Sequence, residues 1–443
     1  MNRTYGTKEI IKIAFPILVS ILMEQLLGMT DTAFLGRVGE VELGASALAG
    51  VYYMAIFMIA FGFSIGSQII IARRNGEKNY KEIGTVFYHG VYFQLALAVV
   101  AILFSIIFSP YILRNIISSK EIYTEVNSYI NWRVFGCLFS FVSIMYRAFF
   151  IGTTQTKTLI LNSVIMVLCN GIFNYILIFG KFGCPALGIS GAAIGSALAE
   201  GVSLLYFVIY TYKRIDTKKY GLNRFVRFCP KILMQILNLS VWIMIQCFFS
   251  MAIWFIFFIL VEHMGERPLA ITNIVRNISS VPFMIVMAFA STCSSLVSNT
   301  IGAGGQKDVM ALIKKHIYIA FAFVVPFLII ICLIPNAIIS IYTSIIPLQE
   351  ASIGAFYVMC GSYIFSIPAG ILFQAVSGTG KTKITLLIEL LALSIYIGYA
   401  VYIINYLHVD IAVCWTAEYV YGFFSMMFCA LYLRSRRWMN KAL

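Results

Sequence analysis

Five acidic side chains fall inside otherwise apolar stretches of this chain: Glu24 and Asp31 in the first, then Glu200, Glu389 and Glu418. An aspartate at the centre of a hydrocarbon-spanning helix costs at least about 2.5–3.5 kcal/mol, so such groups are kept for proton transfer or cation binding. Glu24 and Asp31 are two helical turns apart and project from one face. Arg133, Arg147 and Arg276 are the bases near apolar stretches. Asn170 and Asn174 lie one turn apart on a single face, and Ala192 and Ser196 stand four apart on the next stretch. Other chemistries lack their parts. His89, His263, His316 and His408 are scattered over four segments without ligand spacing, and no serine or cysteine stands near a usable base, so neither a metal centre nor an enzyme is expected. Ser377-Gly378-Thr379-Gly380-Lys381-Thr382 looks like the end of a phosphate-binding loop, but the required first glycine falls on Ala375 and no nucleotide-binding domain surrounds it. No ATP and no organic cofactor are expected.

The elements that carry these residues are set by composition. Of 443 residues 61% are hydrophobic and 11% charged, with mean hydropathy +0.90. Soluble proteins carry roughly 45–50% apolar and about 25% charged residues. Too little polar surface remains to coat a globule in water, and the exterior must face a lipid bilayer. Apolar runs of about 20 residues, each able to cross about 30 Å of hydrocarbon, centre near residues 20, 60, 98, 138, 170, 200, 248, 285, 325, 362, 393 and 420. The chain is therefore expected to be an all-α polytopic membrane protein with twelve transmembrane helices. Ile10 to Met29 runs past signal-peptide length without a small-residue cleavage site and reads as the first span. The net charge of +14 does not point to nucleic acid, because it is confined to alternate loops. With the N-terminus on one side, 24 of the 32 Lys and Arg residues share that side, and the opposite loops hold only Arg37, Arg114, Lys120, Lys181 and Arg267. The positive-inside rule then puts both termini in the cytoplasm. Eight of the ten cysteines lie inside apolar runs and no C-x-x-C pair occurs, so they read as small buried hydrophobes.

Punctuation at a constant offset divides the twelve spans into two bundles of six. Gly152-Thr153 followed by Thr156-Lys157 recurs as Gly378-Thr379 followed by Thr382-Lys383, a shift of 226, and Gly39-Glu40 recurs as Gly265-Glu266 at the same shift. Ala72 to Gly76 meets Thr300 to Gly304 two residues later. Six is an even number, so the halves share one orientation and are expected to be related by a pseudo-two-fold axis along the membrane normal, with a cavity between them. The expected organisation is an N-terminal six-helix lobe over residues 1–211, a cytoplasmic basic linker over 212–231 and a C-terminal six-helix lobe over 232–443.

Three segments resemble motifs of the multidrug and toxic compound extrusion (MATE) family. Met29-Thr30-Asp31-Thr32-Ala33-Phe34-Leu35-Gly36-Arg37-Val38-Gly39 resembles its first-helix motif. Arg147-Ala148-Phe149-Phe150-Ile151-Gly152-Thr153 followed by Thr156-Lys157-Thr158 is similar to its fourth-to-fifth helix loop, and Gly188-Ile189-Ser190-Gly191-Ala192-Ala193-Ile194 to the start of its sixth helix. The resemblance implies a secondary exporter in the plasma membrane, in bacteria the inner membrane. It expels amphipathic, often cationic compounds against an inward flow of H+ or Na+, and is expected to work as a monomer. In the family, positions matching Asp31, Asn170, Asn174, Ala192 and Ser196 form a cation site inside the N-terminal lobe. One carboxylate, two amides, a hydroxyl and a backbone carbonyl are hard oxygen ligands, suited to Na+ at Asp31, Asn170, Asn174 and Ser196, and the single acid can instead take a proton. Glu24, Glu200, Glu389 and Glu418 are candidate additional proton sites.

The chain also departs from the family. The position matching Asn174 is often aspartate in the DinF-like branch. The NorM-like branch is expected to carry acids in the seventh and tenth spans, where this chain reads Gln246-Cys247-Phe248-Phe249-Ser250 and Ser366-Ile367-Pro368-Ala369. A single coupling cation, bound in the N-terminal lobe, is therefore expected, unless Glu389 or Glu418 substitutes for the missing acids of the C-terminal lobe. The alternative is a flippase for lipid-linked saccharides or lipids of the same wider superfamily; for the saccharide carriers it needs a cavity rich in Arg or Lys to hold pyrophosphate.

Overall fold

The structure, a computed structural model, describes residues 5–117 and 119–440. Twelve helices among them are long and apolar enough to cross a membrane. In chain order they are α1 (Thr7–Leu35), α2 (Glu40–Gly76), α3 (Tyr80–Ile116), α4 (Lys120–Gly152), α5 (Lys157–Phe179) and α6 (Gly188–Arg214). The second six are α7 (Pro230–Glu262), α8 (Glu266–Gly302), α9 (Gln306–Leu333), α10 (Ile346–Gly378), α11 (Thr382–Tyr406) and α12 (Ile411–Arg434). The expected all-α class and span number are both realised. A helix of 37 residues, as α2, α3 and α8 are, measures about 55 Å and overshoots about 30 Å of hydrocarbon, so these three tilt or reach into the aqueous phase. Side chains such as Val100, Phe104 and Phe108 on α3, and Phe248, Phe255 and Ile259 on α7, are exposed, as lipid-facing positions must be.

The internal repeat is written into the backbone. Helices α2 and α8 start and end 226 residues apart and both have 37 residues. Lys78, Thr154 and Phe182 hold positive φ angles of 60°, 63° and 55°; their counterparts 226 residues on, Gly304, Gly380 and His408, hold 79°, 86° and 48°. The two-residue slip expected between Ala72–Gly76 and Thr300–Gly304 is corrected here. Gly76 and Gly302 both close their helices, so the offset of 226 continues through that turn.

The chain divides into two compact units, Val19–Met244 and Met1–Leu18 with Ile245–Leu443. In the first, α5 packs along α6, where Gly191 and Gly195 form the small-xxx-small spacing that lets helix backbones approach, and α4 lies against α2, α3 and α6. Helix α4 is interrupted by a 3-10 turn at Val134–Gly136. The segment after α6 is laid along α3. The Tyr88 and Tyr92 hydroxyls donate to the Leu222 and Val226 carbonyls at 2.8 Å, and the Cys229 N–H donates to His89 Nε2 at 2.9 Å. In the second unit α10 runs between α8 and α12, and α11 packs on α12.

Candidate cation site

Three helices of the first unit bring Asp31, Asn170, Asn174 and Ser196 together. Asn174 Nδ2 donates to Asp31 Oδ1 at 2.6 Å and Asn170 Nδ2 donates to the same oxygen at 3.1 Å. The Ser196 hydroxyl donates to Asp31 Oδ2 at 2.9 Å and accepts from Asn170 Nδ2 at 3.0 Å. Asn174 Nδ2 also reaches Asn170 Oδ1 at 3.3 Å. Both asparagines are fully buried and Ser196 nearly so, whereas Asp31 keeps partial access. The one-turn spacing of Asn170 and Asn174 on α5, read from the sequence, is what lets both amides grip one carboxylate of α1.

The fifth expected member, Ala192, is buried one turn before Ser196, in an apolar cluster with Leu35, Ala45, Tyr129 and Ile178. Next to Ser196, Gly195 leaves room for Asn174. A methyl group there would stand 2.6 Å from Asn174 Oδ1. That oxygen is buried and has no hydrogen-bond partner among the described residues. The arrangement differs from a ready-made cation cage, because both amides turn N–H groups toward Asp31. They stabilise a bare carboxylate, and the one uncommitted amide oxygen is Asn174 Oδ1.

One turn along α4 and α6 from this site lies a buried ion pair that sequence reasoning did not join. Arg133 donates to both oxygens of Glu200, at 2.6 and 2.9 Å. Its guanidinium also stands 3.8 Å over the Tyr53 ring, and the Tyr53 hydroxyl donates to Glu200 at 3.3 Å. Arg133 follows Tyr129 of the Ala192 cluster by one turn of α4, and Glu200 follows Ser196 by one turn of α6, so the pair and the carboxylate share a neighbourhood. Gly136, in the 3-10 turn, makes the pair fit; a Cβ there would strike Arg133 Nη1 and Glu200 Oε2. The apolar-span base Arg133 is the signal that points to this pairing in the sequence. Neither its partner nor Tyr53 follows from spacing, because the partners are on different helices.

The other candidate acids are dispersed. Glu24 is half exposed, pairs with Arg147 of α4 and lies 3.5 Å from the Ser20 hydroxyl. Although Glu24 shares a helix with Asp31, it is engaged elsewhere. Glu389 on α11 is buried and accepts from Ser250 of α7 at 2.5 Å and from Tyr421 of α12 at 3.1 Å. Glu418 on α12 accepts from Tyr396 of α11 at 3.3 Å. Arg276 lies 5.2 Å from the Phe258 ring and 5.7 Å from the Trp254 ring. The segment like a phosphate-binding loop is the end of α10 and a tight turn, with the Thr379 hydroxyl donating to the Val376 carbonyl. All ten cysteines are free.

Comparison with known proteins gives a consistent family. Residues 16–176 and 242–402 match the MatE family, one match in each half of the repeat. The probable multidrug resistance protein NorM of Thermotoga maritima is 25% identical over 442 residues, covering 98% of this chain and 94% of that one. The probable multidrug resistance protein NorM of Idiomarina loihiensis is 25% identical over 311 residues, 69% of this chain and 66% of its own length. Among solved structures, an outward-facing multidrug resistance MATE family transporter of the MOP superfamily superimposes with a TM-score of 0.90 at 18% identity, covering 98% of this chain and 97% of that one. The shared fold is two bundles of six helices.

Proposed function

The chain belongs to the MatE family, the multidrug and toxic compound extrusion transporters, and on that basis we propose that it is a secondary exporter, driving amphipathic and often cationic organic compounds out of the cell against inward H+ or Na+. The observation that carries the reading is Asp31: a carboxylate held inside the first unit by three neutral donors, with no cation within ion-pair distance among the described residues. A carboxylate so placed is an uncompensated charge in a hydrocarbon span, and binding a proton or a metal cation discharges it. The same carboxylate is then charged or neutral according to which side of the membrane it last met, as alternating access requires.

The donors on Asn170, Asn174 and Ser196 stabilise the ionised form of Asp31, so either ion has to turn them: a proton needs an acceptor, and Na+ needs oxygens, where N–H groups now point. One feature favours Na+: the orphaned Asn174 Oδ1, which supplies a hard ligand once the amides rotate. The lipid-linked saccharide reading draws less support, since Arg133 and Arg147 are neutralised by Glu200 and Glu24 and do not offer free charge to a pyrophosphate. The proposed setting is the plasma membrane, in bacteria the inner membrane, with both termini cytoplasmic, no ATP, and a monomer as the working unit. The lobes and linker expected over 1–211, 212–231 and 232–443 are part of this reading.

The test is ethidium efflux from proteoliposomes holding the purified chain, with an imposed pH gradient and, separately, an imposed sodium gradient. Efflux driven by the pH gradient alone supports H+ coupling, and efflux driven only by sodium assigns Na+. Ethidium movement indifferent to both gradients overturns the antiport reading.

A further inference from the structure

The second unit holds two acids that the antiport reading leaves without a task, and the repeat explains where one of them stands. Tyr396 is 226 residues after Asn170, and Glu418 is 226 after Ala192 and one turn before Gly422, the counterpart of Ser196. In the first unit Asn170 donates to Ser196 between α5 and α6; in the second Tyr396 donates to Glu418 between α11 and α12. Asp31 corresponds to Phe257, whose ring lies 5.9 Å from that of Tyr396 and 6.4 Å from that of Trp415. The second unit thus keeps the site's position and exchanges its parts. The carboxylate has moved from the first helix of the repeat to the sixth, and a phenol replaces the amide.

Glu389 adjoins this place. It accepts from Tyr421, whose ring meets that of Tyr396 edge to face at 6.1 Å. Two carboxylates are therefore each capped by a tyrosine, and the two tyrosines touch.

We propose that Glu418 with Tyr396 forms a second proton-binding site, the repeat counterpart of the Asp31 site, with Glu389 and Tyr421 as an adjoining acid and phenol. This deepens the antiport reading and rests on it. The groups that bond the two acids are neutral donors, Tyr396 to Glu418 and Ser250 and Tyr421 to Glu389. Tyr363 of α10 and Tyr421 of α12 neighbour Glu418, and Ser250 and Cys247 of α7 and Cys429 of α12 neighbour Glu389. Among the described residues no ion pair includes either acid, and the nearby helix α8 has its Arg276 engaged over Trp254 and Phe258. An ionised carboxylate here is a lone charge in a hydrocarbon span, which a proton removes outright. A metal cation needs several hard oxygens, and here each carboxylate meets one phenol whose O–H already donates to it. The acids sit on α11 and α12, away from the seventh and tenth spans where the NorM-like branch is expected to carry them. On this proposal two proton sites stand where the sequence led to the expectation of a single coupling cation.

The experiment is infrared difference spectroscopy between acidic and alkaline pH on the full chain in liposomes, comparing wild type with Glu418→Gln, Glu389→Gln and Asp31→Asn. The expected result is that Glu418→Gln deletes one protonated-carboxyl component that Asp31→Asn retains. If the Glu418→Gln and Glu389→Gln spectra both superimpose on wild type, neither acid titrates and the proposal is overturned. Should Glu418→Gln not fold, Glu418→Asp replaces it, and a carboxyl band that fails to shift overturns the proposal equally. Ethidium transport is scored separately. Loss of gradient-driven efflux in wild type with the Glu418 component intact would sink the antiport reading alone.

Discussion

Asn174 and Asp31, 143 residues apart in the chain, are joined by a 2.6 Å hydrogen bond in which the amide donates, while the other end of that amide, Oδ1, is buried against Gly195 with no partner among the described residues. One end stabilises the charged acid and the other waits for a donor or a cation. A side chain satisfied at one end only is a natural place for a two-state switch, because discharge of Asp31 removes the reason for its present orientation.

Asp31→Asn keeps the volume and removes the charge. The variant is expected to reach the membrane in wild-type amount and to lose concentrative export of ethidium, with the outside-to-inside ratio falling to that of empty liposomes. Asn174→Ala is expected to weaken export less, since it deletes a neutral ligand. Asn174→Asp adds a second acid and is expected to favour protons over sodium. Wild-type export by Asp31→Asn would reduce the residue to a helix-end group.

The Arg133–Glu200 pair has a different signature. Its side chains are only 9% and 13% exposed, so Glu200→Gln strands a buried guanidinium, a change that costs about 3–5 kcal/mol in comparable buried pairs. Thermal unfolding in detergent should show a clear drop for Glu200→Gln and a partial recovery for the double variant Arg133→Met with Glu200→Leu, which removes both charges. Equal melting of the single variant and wild type would mean that the pair contributes nothing to folding.

Span number, helix class and the repeat were legible because lipid forces every backbone group to be satisfied within a helix and leaves long apolar runs. Asn170 and Asn174 were legible as one helix face, and the resemblance to the MATE family is what joined them to Asp31, Ala192 and Ser196. The Tyr53–Arg133–Glu200 group and the Tyr396–Glu418 contact were not. Each joins different helices, and a tyrosine in a span rich in Phe carries no spacing signal of its own. Only the offset of 226, applied residue by residue from Asn170, leads to Tyr396.

Orientation is tested through two cysteines. Cys229 lies in the segment laid along α3 and Cys184 in the turn between α5 and α6, and both are partly accessible. With all other cysteines replaced, an impermeant maleimide applied to intact cells should label Cys184 and spare Cys229. Labelling of Cys229 from outside would reverse the proposed placement of both termini.

Charge counting separates one coupling proton from two. Ethidium carries one positive charge, so a one-for-one exchange with H+ moves no net charge, and the membrane potential cannot drive it. Two protons entering, one by way of Asp31 and one by way of Glu418, carry one net charge inward for each ethidium expelled. One charge across 100 mV is worth about 2.3 kcal/mol, and about 1.4 kcal/mol is a tenfold concentration ratio, so 100 mV alone sustains roughly a 40-fold gradient. Proteoliposomes with no pH gradient and a valinomycin-imposed potassium potential should therefore concentrate ethidium with the wild-type chain. Glu418→Gln should abolish that potential-driven step and retain export driven by a pH gradient, because the Asp31 site is untouched. Wild-type efflux that ignores the potential would return the stoichiometry to a single cation and leave Glu418 outside the transport cycle.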